Sequence, residues 1–494
     1  MELQMIETGF FSILPPLIAI VLALITKEVY FSLFLGLTSG MVIYTIFAGE
    51  SFIAIFTHMF DMMCSKISAN AYMIIFLALL WAVVVLVSKS GGSEAYGRWA
   101  GKRLKNKRGA SLATAILGVL IFIDDGFNCL TVGTIMRPIF DRFHISREKL
   151  AYIVDATAAP ICIIAPVSSW AVAVASEVSA ENGFHTFLST IPYNLYAILT
   201  IIMVLFICLT GKDFGPMKKA ERKALEAVPK EVTNKTDTKK KGRVFDLVLP
   251  IVVLIICAIL GMAYVGGFFS GVPFSEAIGY NPTAGLTLGA FAALVTALIL
   301  YLPRKLMKPK EFIDSIVGGI GSIVPPMLIL ILSWSLGGVC REMIGTGQFI
   351  SGFLNSVNLP FGFLPFLLFV VAALMSFSMG TSWGTFGLLI PIVTMICAVE
   401  GAAPLLIPAL GATLAGSVYG DHCSPISDTT ILSSTGAECV HIRHVETQLP
   451  YATLVAVVCA VGYLMIGFKL NVWISIVISI AILIALLLIL NKKK

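Results

Sequence analysis

The sequence predicts an all-α polytopic membrane protein. It reads as two inverted-topology repeats of five transmembrane helices plus one re-entrant hairpin each, followed by one extra C-terminal helix, giving about 11 spans with the N-terminus outside and the C-terminus inside. Three observations carry that expectation. Hydrophobic residues make up 58% of the 494 and charged residues only 13%, against roughly 25% charged in a soluble domain. Apolar runs of about 17–25 residues, long enough to cross a bilayer as helices, recur from end to end. The Lys and Arg fall almost entirely between alternate runs.

The chain opens on MELQMIETGFF, which has neither a basic n-region nor a small-residue cleavage site, so no removable signal peptide is expected. Spans follow near residues 10–26 and 29–48, separated by Lys27, and near 70–88, which ends at the basic stretch from Lys89 to Arg108. Segment 111–140 is apolar but interrupted, and basic clusters flank both its ends. A full crossing would put those clusters on opposite faces, so the segment reads as a hairpin that returns to the side it entered. Spans near 150–175 and 187–210 close the first half. Residues 212–243 form the long soluble segment of the chain, read as a solvated linker. The second half holds spans near 247–265, 283–302 and 317–340, a second hairpin at 361–399, and spans near 404–435 and 450–468. A last span lies near 471–490.

The domain reading is therefore a first repeat over 1–211, a basic cytoplasmic linker over 212–245, a second repeat over 246–468 and an extra helix over 469–494. Hairpin 111–140 and broken helix 150–175 belong to the first repeat, hairpin 361–399 and broken helix 404–435 to the second. With the N-terminus outside, only Lys66, Arg341 and Lys469 of the 34 Lys and Arg are left on the outer face. So one-sided a bias is what the positive-inside rule demands.

The halves resemble each other weakly but in the same order. GLTSG (36–40) matches GLTLG (285–289). Trp81 precedes Gly92 by 11 residues, as Trp334 precedes Gly345. IMRPIF (135–140) matches LLIPIV (388–393), setting Pro138 against Pro391. DATAAP (155–160) matches GATLAG (411–416), and PVSSW (166–170) matches PISDT (425–429). Five spans per half is an odd number, so the second copy is inserted upside down, the arrangement found in secondary transporters with midplane sites.

Four interrupted stretches supply candidate site residues, because irregular backbone at membrane depth must be buried in protein or face a wet cavity. In FIDDGFNCLTVGT (122–134), Asp124, Asp125 and Asn128 bring oxygen ligands to a hairpin tip; adjacent carboxylates in an apolar run are costly unless protonated, paired or bound to a cation. The plainer alternative is that one of them caps a helix. In SFSMGTSWGTFG (376–387), Ser378, Thr381, Ser382 and Thr385 offer hydroxyls among glycines, suited to a neutral or anionic group or simply to close helix packing. In VDATAAPICIIAPVSSW (154–170), Asp155 precedes Pro160 and Pro166, which remove helix hydrogen bonds; the freed carbonyls, with Ser168 or Ser169, could bind Na+. In GDHCSPISDTT (420–430), Pro425 breaks a helix among Asp421, His422, Ser424, Ser427 and Asp428. His422 could titrate near neutral pH. HIRH at 441–444 is read as lying near the inner surface, without the further ligands a metal site needs.

Several classes fall away. The ten Cys contain no CxxC pair, so neither disulfides nor zinc are expected. No P-loop motif supplies ATP, and no nucleophile-elbow or HExxH motif supports an enzyme. No regularly spaced Arg or filter signature suggests a channel. The net charge of +6 is accounted for by topology and calls for no nucleic acid.

Segments 122–171 and 420–439 resemble the NhaC-type sodium/proton antiporter family of the broader ion-transporter superfamily, and the resemblance runs over nearly the whole chain from LALITKEVYFSLFLGLTSG onward. It implies inverted repeats with hairpins and broken helices, a prokaryotic inner (plasma) membrane location, and sodium-linked exchange. It also implies functional roles for Asp124, Asp125, Asn128, Asp155, Thr157, Ser168, Ser169, Asp421, His422, Ser424, Ser427 and Asp428. The expectation is Na+/H+ exchange by alternating access without a cofactor, with Na+ at Asp155, Ser168 and Asp428. The alternative is Na+- or H+-coupled exchange of a small organic acid or amino acid held by the hydroxyls of the second hairpin. The partners so implied are the lipid bilayer, Na+ and H+, with a homodimer left open.

Overall fold

The structure, a computed structural model, describes residues 4–178, 183–226, 242–349, 352, 360–399 and 401–492. Among the described residues there are helices and no strands, and 11 helices are long and apolar enough to cross a membrane. The number agrees with the sequence reading but the membership differs. Phe361–Met379, expected as one arm of a hairpin, is long enough to count as a span. The expected span 150–175 is not one helix but three pieces, Arg147–Ala156, Ala159–Cys162 and Ser169–Val178.

Local chemistry explains the pieces. The Ser146 hydroxyl accepts from the Lys149 N–H at 3.2 Å and starts the first of them. Thr157 turns its hydroxyl back to the Ile153 carbonyl at 2.7 Å, a local bond that competes with the helix ladder. After the single turn containing Pro160, the Ser168 hydroxyl accepts from the Ala171 N–H at 3.1 Å and restarts the helix. The expected span 404–435 is likewise two helices, Leu406–Cys423 and Asp428–Ala437. Pro425 lies in the gap, and the Ser427 hydroxyl caps the second piece by accepting from the Thr430 N–H at 3.4 Å. Ser168 and Ser427, which stand against each other when PVSSW is set on PISDT, each cap the helix that follows the break.

The first hairpin comprises Lys107–Leu120 and Asp125–Arg142. Its two ends meet where Lys107 Nζ donates to the His144 carbonyl at 2.9 Å. The second comprises Leu364–Met379 and Ser382–Ile396. Its tip turns through Gly380, at a left-handed φ of 68°, whose N–H closes on the Ser376 carbonyl at 2.8 Å. Each return arm begins with a side-chain cap: Asp124 accepts from the Phe127 N–H at 2.8 Å, and Thr381 from the Gly384 N–H at 3.4 Å. Counted from these caps, Pro138 is 14 residues on and Pro391 is 10, so those two prolines are one helical turn out of register.

Each hairpin tip rests on the break of the broken helix that follows it. The Ser169 N–H donates to the Ile123 carbonyl at 3.2 Å, and the Ser424 hydroxyl donates to the Phe377 carbonyl at 2.8 Å. Outside these elements, Val244–Val265 and Pro282–Tyr301 pack closely along Gly261, Gly285 and Gly289, beside Ala71–Lys89 and Pro309–Gly338. Four helices were not expected: Ala54–Ala69, Gly92–Arg103, Gly215–Glu226 within the linker, and Phe274–Tyr280. Linker residues 227–241 lie outside the described residues.

Candidate functional site

Asp155 sits near the end of the first piece of its broken helix and is 1% exposed. Its Oδ2 accepts from Gln448 Nε2 at 2.8 Å, is 3.2 Å from His444 Nε2, and is 3.3 Å from the Thr430 hydroxyl. Its Oδ1 has no hydrogen-bond partner among the described residues. The donors come from helix His441–Gly467 and from Asp428–Ala437, so one carboxylate joins the two broken helices and the helix that follows them.

His422 and Asp421 line the second break, each 2% exposed. His422 Nδ1 is 2.7 Å from the Tyr196 hydroxyl, and its ring stacks on Tyr152 at 6.3 Å. Gln448 Nε2 also donates to the His422 carbonyl. Asp421 Oδ2 accepts from the Ser382 hydroxyl at 2.8 Å and the Ser382 N–H at 3.3 Å, so it meets the tip of the second hairpin. The equivalent position in the first break, six residues before its capping serine, is Cys162, whose thiol contacts the Phe122 carbonyl at the tip of the first hairpin. His422 Nε2 and Asp421 Oδ1 are both without partners among the described residues.

Asp124 is buried and spends one oxygen on its cap, whereas Asp125 is half-buried and Asp428 exposed. These three acids, Asp421 and Asp155 are linked by electrostatic contact: Asp125 with Asp124, Asp428 and Asp421, and Asp155 with Asp421 and Asp428. Like charges gathered in one place disfavour one another, and a cation among them offsets that repulsion. His422 and His444 both lie within reach of Asp155.

Other expected residues also bond the framework. Asn128 Nδ2 reaches the carbonyls of Gly118, Ile121 and Thr157 at 2.7, 3.1 and 3.1 Å, tying the first hairpin to Thr157, and its buried Oδ1 has no partner among the described residues. Ser168, Ser169, Thr385 and Ser424 give their hydroxyls to backbone carbonyls. Ser427 pairs with Thr429 at 3.0 Å. The Ser378 hydroxyl faces the Leu24 carbonyl at 3.4 Å, away from the breaks. Of the hydroxyls expected to hold substrate, Ser382 and Ser427 are the ones that meet the Asp421 carboxylate among the described residues. The Ser168 hydroxyl donates to the Cys162 and Ala165 carbonyls. No group of three or more His, Cys, Asp or Glu is arranged to hold a metal among those residues.

Sequence reasoning missed His444, Gln448, Thr430 and Tyr196. HIRH is not wholly at the surface: His444 is fully buried. The available signal was spacing, since His441, His444, Gln448 and Tyr451 recur at three and four residues and share one face of an apolar helix.

One end of this assembly is tied by charge. Arg147 bonds Asp141 at 3.0 Å and Glu438 at 3.1 Å, and Arg137 bonds Glu438 at 2.6 Å. The hydrogen-bonded Asp141 carboxylate raises the Arg147 guanidinium further above its ordinary value. Lys149, 4% exposed, pairs with Asp213 at 2.8 Å, and the Tyr451 hydroxyl donates to the same carboxylate at 2.9 Å. Glu221 Oε1 accepts from the Ser146 hydroxyl at 2.6 Å and from its N–H at 2.8 Å.

The sequence profile of the Na+/H+ antiporter family matches residues 171–468. An uncharacterized protein of Haemophilus influenzae is 39% identical over 486 residues, 95% of this chain and 93% of that one. The malate-2H(+)/Na(+)-lactate antiporter of Bacillus subtilis is 29% identical over 209 residues, 37% of this chain and 42% of that one. In three dimensions the fold is similar to that of the Alcanivorax borkumensis YdaH transporter, with a TM-score of 0.57 at 14% identity, covering 84% of this chain and 90% of that one.

Proposed function

The chain belongs to the Na+/H+ antiporter family, and from that premise we propose that it exchanges Na+ for H+ by alternating access, with Asp155 as the carboxylate for which the two ions compete. It is a multi-pass membrane protein and a secondary transporter of the antiporter type. The observation that carries the finer reading is the division of labour at Asp155: Oδ2 is supplied with donors while Oδ1 is left open inside the protein. A carboxylate held in this way has one oxygen fixed in place and one free for a proton or a cation. It cannot hold both well, so binding one expels the other. The neighbouring acids Asp421 and Asp428 lie close enough to make that competition depend on their own occupancy.

Two further elements of the proposal rest on geometry. The paired tip-and-break constructions are the cores of two inverted repeats, supported by the matching caps Ser168 and Ser427 and the matching contacts of Cys162 and Asp421. The tied end of the molecule is the inner side, supported by the concentration of Lys and Arg there. In proteoliposomes, an imposed pH gradient is expected to drive Na+ flux that Asp155→Asn abolishes while the protein stays folded. Equal flux in the variant and the parent would sink the assignment.

A second reading is favoured by one observation, the similarity to a malate/lactate antiporter over part of the chain. On that reading the cargo is a small organic acid exchanged against Na+ and H+. The same vesicles decide it: flux that appears only when malate or lactate is supplied on one side favours the organic acid, and flux with Na+ and H+ alone favours the simple exchange.

A further inference from the structure

Helix Ser169–Val178 carries an acid that the exchange scheme leaves unused. Glu177 is 1% exposed, and its Oε1 has no hydrogen-bond partner among the described residues. The hydroxyl beside the carboxyl is that of Ser333. That hydroxyl has one hydrogen, which it gives to the Gly387 carbonyl at 2.5 Å, so it cannot donate to Glu177 as well. Trp334 Nε1–H donates to the Ser176 hydroxyl at 3.2 Å. These bonds pin three elements around one carboxyl: Ser169–Val178, Pro309–Gly338 and the return arm of the second hairpin. Ser333 and Gly387 also line a cavity of about 10 Å³ with Gly337, Cys340 and Pro391, room for about one water.

An ionised carboxylate in such a place would lack the donors that make burial tolerable. The cavity beside it, lined by Ser333 and Gly387 and not by Glu177 itself, has no space for a hydrated Na+, whereas a proton needs none. The charged surroundings agree. The return arm Ser382–Ile396 has no titratable side chain. On helix Ala71–Lys89 the one charged group is Lys89, committed to Ser315. His185 on the following helix is exposed. Helix Pro309–Gly338 faces the carboxyl with Ser333 and Trp334, and Arg341, in the turn after it, is the charged group in electrostatic reach.

We propose that Glu177 is a second proton-binding carboxyl, reached through the Ser333 hydroxyl from the cavity at the Arg341 end of the molecule, where the second hairpin meets helix Pro309–Gly338. A proton there would neutralise the contact between an element carrying half of the breaks and a helix of the surrounding framework. The inference deepens the antiport reading and rests on it for its use of the proton.

Infrared difference spectroscopy of the purified full chain, titrated with acid and base, tests the site without any transport. Glu177→Gln is expected to remove one protonated-carboxyl band, and Glu177→Asp to keep a shifted one. Identical carboxyl bands in Glu177→Gln and the parent would overturn the proposal. Should Glu177→Gln fail to fold, Ser333→Ala serves in its place: a moved band supports the site and an unmoved band refutes it. In vesicles, Glu177→Gln should lose the dependence of Na+ flux on pH at the Arg341 side while half-saturation by Na+ stays the same. A parent protein with no Na+ flux would defeat the antiport reading alone, since the band test stands apart from it.

Discussion

At Asp155 the two oxygens of one side chain have opposite surroundings, and Gln448 is the donor that makes the difference. Its Nε2 serves Asp155 Oδ2 and the His422 carbonyl together, so it holds the first broken helix to the second. A buried acceptor left without its donor costs roughly 1–3 kcal/mol. Gln448→Ala is therefore expected to lower the melting temperature of the purified protein and to slow exchange about tenfold or more; unchanged melting and flux would show that the bond pair carries no weight. The acids of this site were legible in the sequence because a carboxylate inside an apolar run stands out whatever its neighbours are. Gln448 and His444 were not, because they are donors whose purpose exists only once Asp155, almost 300 positions earlier, is folded against them. Asn128 was legible only in part: the fold spends its Nδ2 on carbonyls that no local pattern predicts, while its buried Oδ1 has no partner among the described residues.

The elements that were legible are those whose boundaries are chemical. Pro160, Pro166 and Pro425 remove donors, Ser168 and Ser427 restart helices, and the tip of the second hairpin turns at a glycine. That last turn can be tested directly. Gly380 is left-handed, and a Cβ there would come within 2.8 Å of the Ile426 backbone, in the loop that contains Pro425. A non-glycine residue in that conformation costs roughly 1–2 kcal/mol before any clash. Gly380→Ala should therefore destabilise the protein by about 2 kcal/mol or more, read as a lower melting temperature. The control is Gly318→Ala, where a Cβ meets nothing within 4 Å and the expected change is a gain of roughly 0.5–1 kcal/mol. Losses of equal size at both positions would remove the special role of the turn. Helix Ala54–Ala69 was not legible. His58, Asp61 and Lys66 interrupt its apolar pattern, and what holds it is tertiary: Met59 and Met62 are buried, and Lys66 pairs with Glu342 nearly 280 positions away.

Across the whole molecule, the ties at the Arg147 end form a single clamp around the approach to Asp155. Arg137 belongs to the first hairpin, Arg147 and Lys149 to the first broken helix, Glu438 follows Asp428–Ala437, and Tyr451 belongs to the helix that carries His444 and Gln448. The linker completes the clamp with Asp213 and Glu221. Lys149, Tyr152 and Asp155 follow one another at three-residue spacing along the same piece of helix, and Tyr152 packs on Tyr451 at 5.0 Å, so the clamp and the candidate ion site share a rigid element. If access alternates, these contacts must part before water on that side can reach Asp155. Removing one partner of a buried ion pair costs roughly 3–5 kcal/mol, and every 1.4 kcal/mol is about tenfold in a conformational equilibrium. Lys149→Ala should therefore shift the protein toward the open arrangement by about 10²-fold or more. Thr430, fully buried with its hydroxyl on Asp155, reports that opening when replaced by Cys in a background with Cys64, Cys257 and Cys439 changed to Ser. A membrane-impermeant thiol reagent is expected to label Thr430→Cys slowly when the clamp is intact and much faster when Lys149→Ala is added. Equal labelling rates in the two would mean that the clamp does not gate the path to Asp155.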